Sequence, residues 1–306
     1  MPKCFPTQII FSSLLLVGAA SVVICTPRAE AQQSGQFVEP IYRVAHEEPV
    51  EQAPQMAARV NSPVHQTPLD LAPRPGEHSL MPALRVAKES LRKIDSSIQD
   101  YSALLYKQER INGELGEQEL AFIKVRHQPF SVYMYFVQPN KGRECLYNHP
   151  LDGTQGKLVA MDCGWKRRFG KVELDPEGNM AMKGQKYPIT KLGLRNLTTE
   201  LVDVATNDVQ YQECEVTTSQ RTINGRPATL LEVTHPIPRQ NFRFHKAEVF
   251  IDNELLLPVR YAAYMWPDKP GEAPPLEEAY TYVNLQLNNG FTNDTFDQNN
   301  PEIFKP

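Results

Sequence analysis

The stretch that decides the fold is residues 130–137, FSVYMYFV, in which Val, Met and Phe alternate with Tyr. This period of two is typical of a β-strand with two different faces, and a second such run precedes it at residues 117–126. If the loop between the two runs has an even number of residues, the strands pair as follows: Val125 with Val132, Ile123 with Met134, Ala121 with Phe136, Lys124 with Tyr133, and Phe122 with Tyr135. One face of the pair is then apolar. An odd loop would place Lys124 on that face at a cost in desolvation, so we predict the even register.

Runs of alternating polarity continue on both sides of this strand pair. The further predicted strands are residues 101–111, 143–148, 157–162, 211–222, 228–234, 243–251, 257–265 and 278–287. The turn dipeptide Asn112-Gly113 separates the first two strands in the manner of a hairpin. Two amphipathic helices are predicted over residues 79–100 and 191–206, where apolar residues recur every three or four positions. Strands in hairpin order without βαβ alternation predict an α+β fold: a large curled antiparallel sheet, an incomplete β-barrel, covered by helices.

The composition is that of a globular protein. The chain has 306 residues, of which 41% are apolar and 22% are charged, and its formal net charge is −4. Proteins that bind nucleic acids normally carry a basic surplus, so we expect no nucleic-acid partner. The 16 glycines and 26 prolines are below the levels of collagen-like or low-complexity chains.

The N-terminal residues have the layout of a secretory signal peptide. Lys3 precedes an apolar run at residues 9–24, and the triplet Ala29-Glu30-Ala31 supplies a small-residue cleavage site. The apolar run is shorter than the ~20 residues that span a bilayer, which makes a retained anchor the weaker alternative. We expect cleavage after Ala31 and export to the periplasm or cell envelope. The predicted organisation is a signal peptide at residues 1–31, a disordered Pro-rich linker at 32–77 and the curled-sheet domain at 78–306.

Motifs of known chemistry do not occur in the sequence. GxSxG, HExxH, P-loop and GxGxxG patterns are all missing, so we expect no enzyme, no catalytic residues and no cofactor. Beyond the leader, Cys145, Cys163 and Cys214 are predicted to be buried free thiols, with a Cys145–Cys163 disulfide as the alternative. Their wide spacing disfavours zinc, and no metal site is expected. Four carboxylates around one hairpin are predicted to lie in a solvated turn: Glu109, Glu114, Glu117 and Glu119.

The apolar face of the sheet is the predicted ligand site. The helices either fill this concave face with side chains or leave a hollow that admits an acyl chain, and both possibilities remain open. The long irregular stretch at residues 166–187 is interpreted as a flap. The predicted ligand-binding residues are Ile123, Val125, Val132, Met134, Phe136, Val249, Ile251, Val259, Tyr261, Val283 and Leu285.

One cluster combines basic and aromatic residues: Trp165, Lys166, Arg167, Arg168 and Phe169. It is a candidate for contact with anionic lipid headgroups at a membrane surface. The alternative is an exposed hairpin tip, in which the long basic side chains lie along the two aromatic rings.

Several segments resemble a family of exported bacterial proteins, the domain of unknown function numbered 1571 (DUF1571). They are KVRHQPF at 124–130 followed by Val132-Tyr133, LDPEG at 174–178, MKG at 182–184, YPIT at 187–190, LPVRY at 257–261, WP at 266–267 and YTYVNL at 280–285. The resemblance covers residues 80–305, nearly the whole predicted domain.

More distantly, the order of elements is similar to the periplasmic lipoprotein-carrier (LolA/LolB-like) superfamily, with Asn288, Phe291 and Phe296 near the chain end. That superfamily folds as an incomplete β-barrel with a helical lid and binds acyl chains in its concavity. The resemblance implies a lipid or lipoprotein as the partner. Our first hypothesis is therefore an exported, non-enzymatic protein that binds an apolar ligand. The alternative is a structural or interaction module of the cell envelope, with a filled core, an envelope protein as partner and no ligand.

Overall fold

The computed structural model describes residues 69–150, 152 and 154–305. The predicted signal peptide lies outside the described residues, and so does the predicted linker except for residues 69–77. In that short segment Leu69 and Leu71 pack against an apolar cluster of the sheet. No helix in the described part of the chain has the length and apolar character needed to cross a membrane.

The described residues form two α-helices and twelve strands. The helices are α1 (Met81–Ser97) and α2 (Leu194–Asp208). The strands are β1 (Asp100–Ile111), β2 (Glu114–Leu115), β3 (Glu119–Arg126), β4 (Ser131–Gln138), β5 (Glu144–Asn148), β6 (Leu158–Met161), β7 (Val172–Leu174), β8 (Glu215–Ile223), β9 (Arg226–Thr234), β10 (Lys246–Asp252), β11 (Pro258–Tyr264) and β12 (Leu276–Leu287). Short 3₁₀ helices lie at Gly164–Phe169, Ile189–Lys191 and Asp294–Phe296.

The strands form one antiparallel sheet in the order β7-β6-β5-β4-β3-β1-β12-β11-β10-β9-β8, with β2 paired to β1. The end strands β7 and β8 are not paired with each other, so the sheet stays open. The predicted fold class, a large antiparallel sheet with helical cover, is confirmed. The two strands that the sequence did not predict, β2 and β7, have two and three residues, too few to show a period of two.

The predicted register of the central strand pair is also confirmed. Val125 lies opposite Val132, and Lys124 lies opposite Tyr133 on the other face. Val125 and Val132 are at most 1% exposed and pack with Ile94 of α1. Burial of an aliphatic side chain of this size stabilises the fold by ~1.5–3 kcal/mol.

Helix α1 packs on the apolar face over both halves of the sheet. Its second residue, Pro82, occupies the first turn, where a missing N–H costs no hydrogen bond. Ala83 and Val86 belong to the apolar cluster on β9–β11, whereas Ile94 belongs to the cluster on β1, β3 and β4. A single amphipathic helix therefore joins the two clusters.

The opposite face of β4 and β5 is covered by the C-terminal segment of the chain. Phe296 and Phe304 pack there against Tyr133 and Leu146. The buried carboxylate of Glu144 accepts hydrogen bonds of 2.7 Å from the Tyr133 hydroxyl and from the backbone N–H of Phe304. The C-terminal segment thus covers the tyrosine face of the strand pair, and the helices cover its apolar face.

Strand β12 differs from the sequence prediction because it contains a bulge. Leu105, on the apolar face, pairs with Tyr282, whereas Leu104 pairs with Val283. The register shifts beyond this point, where Asn284 adopts a positive φ of 54°. A bulge adds one residue and reverses the alternation of faces. The prediction that Val283 lies on the apolar face is therefore wrong, and Tyr282 takes that place.

Candidate ligand-binding cavity

A cavity of about 720 Å³ lies between the apolar face of the sheet and its cover. This volume is within the ~300–1,000 Å³ of typical small-molecule sites. The sheet side of the cavity is mostly apolar because alternate residues of each strand point to the same face. The apolar side chains on this wall include Leu105, Met134, Phe136, Leu158, Ala160, Leu174 and Tyr282.

The opposite wall is formed by α2 and by residues 175–193, which connect β7 to α2 and which we call the covering segment. Leu197, Leu201 and Val204 contribute the apolar stripe of α2 to the cavity, as the helical periodicity of the sequence indicates. The covering segment adds apolar residues that follow no helical or strand period: Pro176, Met180, Ala181, Ile189 and Leu192. Part of the stretch predicted to be a flap therefore lies over the cavity.

A buried polar cluster forms part of the cavity lining. The Lys107 ammonium nitrogen lies 3.3 Å from Glu109 Oε2 and 3.1 Å from Glu119 Oε2. The Tyr280 hydroxyl donates a hydrogen bond of 2.7 Å to Glu109 Oε1. Burial and the neighbouring Glu109 carboxylate raise the pKa of Tyr280, so its hydroxyl remains a donor at neutral pH. The side chain of Glu109 is only 5% exposed, and these partners offset the cost of burying its charge.

The covering segment is fastened to this cluster by ion pairs and hydrogen bonds. The Lys186 ammonium nitrogen lies 2.7 Å from Glu277 Oε1 and 2.9 Å from Glu278 Oε2. The backbone N–H of Lys186 donates to Glu109 at 2.9 Å, and the Tyr187 hydroxyl donates to Glu278 at 2.9 Å. Burial lowers the pKa of Lys186, but the hydrogen bonds with the two glutamates outweigh it and raise the pKa overall. The cover is thus held by charged contacts as well as by apolar packing.

A second, small cavity of about 80 Å³ lies between α1, α2 and strands β9–β11. Leu80 and Ala83 line it from the helical side, and Val249 and Ile251 line it from the sheet. Its volume is well below that of ligand sites. It shares Phe244 with the large cavity, together with residues of α2.

The predicted ligand-binding residues lie in the two cavities, in the packed core and at positions that line neither cavity. Met134, Phe136 and Tyr261 line the large cavity. Val249 and Ile251 line the small one.

Three other predicted residues, Ile123, Val125 and Val132, lie in a packed core with Ile94 and Leu194. The two alternatives that the sequence left open are therefore both present, since the helices fill one part of the apolar face and leave another part hollow.

The last three predicted residues do not line either cavity. Leu285 packs against the core cluster beyond the bulge of β12, and Val283 points to the other face. Val259 is buried, but a register shift in the β10–β11 pair places Pro258 opposite Ile251.

Sequence reasoning missed the polar part of the cavity. Glu109 was predicted to lie in a solvated turn, and this is wrong because it is buried beside Lys107 and Tyr280. A signal was present, since Leu105, Lys107 and Glu109 follow one another at the two-residue spacing of a single strand face. The contacts of Glu109 with Tyr280 and Lys186 join residues that are far apart in sequence, and no local pattern indicates them.

The basic-aromatic cluster lies on the 3₁₀ helix between β6 and β7. Trp165 and Phe169 are 65% and 67% exposed. Lys166 lines the cavity, and its ammonium nitrogen lies 3.5 Å from Asp162 Oδ2. Arg167 instead turns inward, where its guanidinium lies 2.6 Å from Glu144 Oε1. Four of the five predicted residues, among them Arg168, are therefore left at the surface.

Cys145, Cys163 and Cys214 are free thiols in the structure, so the alternative disulfide is not formed. Cys145 lines the cavity, and burial raises the pKa of its thiol to about 12, which keeps it protonated and unreactive at neutral pH. Within residues 69–305 as far as they are described, no three His, Cys, Asp or Glu side chains are grouped so that they could hold a metal ion.

Comparisons with solved structures give distant likenesses. A putative outer membrane lipoprotein-sorting protein domain from Vibrio parahaemolyticus is 14% identical, with 71% of this chain and 96% of that chain covered and a TM-score of 0.34. The lipoprotein LppX from Mycobacterium tuberculosis is 14% identical, with 68% and 98% covered and a TM-score of 0.37. A LolA superfamily protein from Nitrosomonas europaea is 10% identical, with 71% and 97% covered and a TM-score of 0.27. At such TM-scores these likenesses carry no functional argument.

Among curated proteins, none matches the chain. The family described as a protein of unknown function, DUF1571, matches residues 98–303. This range includes the whole sheet, since β1 begins at Asp100 and β12 ends at Leu287. The resemblance carried by the sequence motifs is confirmed, and the chain belongs to the DUF1571 family.

Proposed function

We propose that this chain is an exported, non-enzymatic protein that binds a lipid or the acyl chain of a lipoprotein in the large cavity. The observation that carries the proposal is a hollow of about 720 Å³ with apolar side chains on both walls. Each buried methylene contributes ~0.8 kcal/mol, so a chain segment of about ten methylenes gains ~8 kcal/mol before the cost of association.

The polar cluster gives the ligand an orientation. Lys107 and Tyr187 are among the polar residues that line the cavity, and most of the lining surface is apolar. A few polar groups in an otherwise apolar pocket fix the direction in which a ligand lies. An amphiphile with one polar end and one long apolar chain meets both requirements.

The covering segment provides the route for uptake and release. It has no α-helix of its own, and its contacts with Glu109, Glu277 and Glu278 involve only residues near Lys186. Breaking this small group of charged contacts loosens the part of the cover near Lys186, while Ile189 and Leu192 keep the end of the segment packed against the core around Ile123.

Export is part of the proposal and is supported by the layout of the N-terminal sequence. Residues 1–31 serve as a signal peptide that is cleaved after Ala31, and the Pro-rich residues that follow serve as a tether. The ligand is then acquired in the periplasm or cell envelope.

Native mass spectrometry of the exported chain, followed by titration with a fluorescent fatty acid, tests the proposal. We expect co-purified lipid or saturable binding of the fatty acid. Ala160→Trp on the sheet wall and Ile189→Trp on the covering wall should each abolish binding by filling the cavity. Ala273→Trp, at an exposed position between β11 and β12, is the matched control and should bind as wild type does.

The absence of saturable binding in a folded wild-type chain would overturn the proposal. A stable envelope protein recovered with that ligand-free chain would instead support the interaction module. Equal binding by Ala160→Trp and wild type would place the ligand outside the cavity.

A further inference from the structure

Exposed apolar side chains are concentrated near one edge of the sheet. Among the described residues six large apolar side chains are exposed, and four of them lie between residues 165 and 180. Trp165, Phe169 and Met180 are 65%, 67% and 74% exposed. Together with their basic neighbours they form a surface that we call the edge patch, which consists of Trp165, Lys166, Arg168, Phe169, Lys171, Val172 and Met180.

The aromatic part of the edge patch is ordered by its own contacts. The Trp165 and Phe169 rings meet edge to face with centroids 5.7 Å apart. The Arg168 guanidinium carbon lies 5.0 Å from the Trp165 centroid and 5.3 Å from the Phe169 centroid. This arrangement holds a cation directly beside two exposed rings, as cation–π attraction favours.

The charges of the edge patch are basic. No carboxylate in the described part of the chain lies within ion-pair distance of Arg168 or Lys171. Lys171 donates its hydrogen bond of 2.7 Å to a backbone carbonyl, that of Gln298, and keeps its charge. Lys166 is 55% exposed and only loosely paired with Asp162. The edge patch therefore carries three cations, of which Arg168 lies directly beside the exposed rings, and this charge is complementary to an anionic surface.

The edge patch is continuous with the opening of the cavity. Lys166, Val172 and Met180 belong to the patch and also line the cavity. Trp165 and Phe169 lie on the same 3₁₀ helix as Lys166. Any surface that binds the edge patch therefore lies next to the cavity that is proposed to receive an acyl chain.

We propose that the edge patch docks onto a membrane that contains anionic lipids, and that docking brings the cavity opening to the bilayer surface. This rests on the proposed function, since the lipid is the ligand that passes between bilayer and cavity. Tryptophan and its aromatic neighbours prefer the interface between headgroups and acyl chains. Basic side chains beside them add attraction to anionic headgroups. The apolar part of the patch would lie among the acyl chains and the cations among the phosphates.

Co-sedimentation with vesicles tests the proposal on the chain purified after export and signal-peptide removal. We expect binding to phosphatidylglycerol vesicles that weakens at high salt, and weaker binding to phosphatidylcholine vesicles. The double variant Trp165→Ala/Phe169→Ala should lose most of the vesicle binding. Ile237→Ala, which removes an exposed apolar side chain elsewhere, is the matched control and should bind as wild type does.

The electrostatic part is tested separately. Arg168→Gln should weaken binding to anionic vesicles about fivefold, which corresponds to ~1 kcal/mol for one basic residue at such a surface. Lys269→Gln, at a lysine that is 78% exposed outside the patch, should have no effect. Equal losses in the two variants would overturn the proposal in favour of a general charge effect.

Tryptophan fluorescence gives a direct signal, since the chain has two tryptophans. In a Trp266→Phe variant the emission of Trp165 should shift to the blue when anionic vesicles are added, because the ring leaves water. An unchanged emission together with unchanged sedimentation of the Trp165→Ala/Phe169→Ala variant would overturn the proposal.

The two proposals fail in different ways. The cavity-filling variant Ala160→Trp should still bind vesicles while it no longer binds the fatty acid. The Trp165→Ala/Phe169→Ala variant should still bind the fatty acid in the absence of vesicles. Loss of both activities in both variants would overturn the division of the site into a docking surface and a cavity.

Discussion

The hydroxyl of Tyr101 on β1 accepts a hydrogen bond of 2.9 Å from the backbone N–H of Leu194, the first residue of α2. The N–H groups in the first turn of a helix have no partner within the helix, and here a buried side chain of the sheet supplies one. Tyr101 therefore fixes where α2 begins, and α2 is one wall of the large cavity. A side chain of the sheet thus positions the helix that covers the cavity.

Tyr101→Phe should destabilise the protein by ~1–3 kcal/mol, because it leaves a buried N–H group without an acceptor. Urea denaturation measures this change in the free energy of unfolding. Tyr106→Phe, on the same strand, is the control, since the Tyr106 hydroxyl makes no hydrogen bond to any described residue. Equal stability of the two variants would show that the hydrogen bond to Leu194 is not needed.

Gly193→Ala should be more damaging than an ordinary glycine substitution. Gly193 has a φ of +114°, and a Cβ atom there would lie 2.9 Å from the Tyr101 hydroxyl. We expect a loss of ~1–3 kcal/mol in the free energy of unfolding from strain and overlap. Gly225→Ala is the control, because Gly225 also has a positive φ but a Cβ atom there would have no neighbouring atom within 4 Å. A smaller loss at Gly193 than at Gly225 would contradict this account.

The buried pair of His235 and Asp208 should make stability depend on pH. Their Nε2 and Oδ2 atoms lie 3.1 Å apart, with side chains 6% and 5% exposed. Burial lowers the pKa of His235, but hydrogen bonds with Asp208 and Cys214 outweigh it and raise the pKa to about 9. Since the pKa in the unfolded chain is ~6.5, this stabilisation is complete below about pH 6.5 and is lost as the pH rises through about 9.

We therefore expect the free energy of unfolding to fall by ~1–3 kcal/mol between pH 6.5 and pH 9.5, measured by urea denaturation at each pH. His235→Gln should be less stable than wild type at pH 6.5 and should lack this fall. The same pH profile in variant and wild type would rule out His235 as the titrating group.

Lys186→Met should loosen the cover of the cavity. The substitution removes the ion pairs of Lys186 with Glu277 and Glu278. It leaves the buried Glu278 carboxylate without its cation, whereas the partly exposed Glu277 keeps Arg110 at 3.7 Å. We expect faster amide hydrogen exchange in the covering segment and faster release of a bound fluorescent fatty acid, with the core around Ile94 unchanged. Lys183→Met, at an exposed lysine of the same segment, should leave the hydrogen exchange of the segment as in wild type. Unchanged exchange in Lys186→Met would show that apolar packing alone holds the cover.

The sequence was sufficient to predict those parts of the fold in which the alternative arrangement would bury a charged side chain. A one-residue slip of β3 against β4 would bury Lys124, so the register could be predicted. The cavity could not be predicted, because it depends on how much space the covering segment leaves, and that segment has no period. The burial of Glu109 could not be predicted either, because it depends on contacts with Tyr280 and Lys186, which lie far away in the sequence.

The bulge of β12 is the point at which face prediction failed, and it can be tested at Asn284. A positive φ of 54° suits Asn and Gly, whereas a β-branched residue is strained there by ~1–2 kcal/mol. Asn284→Val should therefore lower the free energy of unfolding by about that amount, and Asn284→Gly should change it little. Gln286→Val, two residues further along β12, should be neutral or stabilising because Val favours regular strands. If Asn284→Val is as stable as wild type, the bulge is not fixed by this residue, and the inward position of Tyr282 must come from the packing of its ring against Tyr101, whose centroid lies 6.5 Å away.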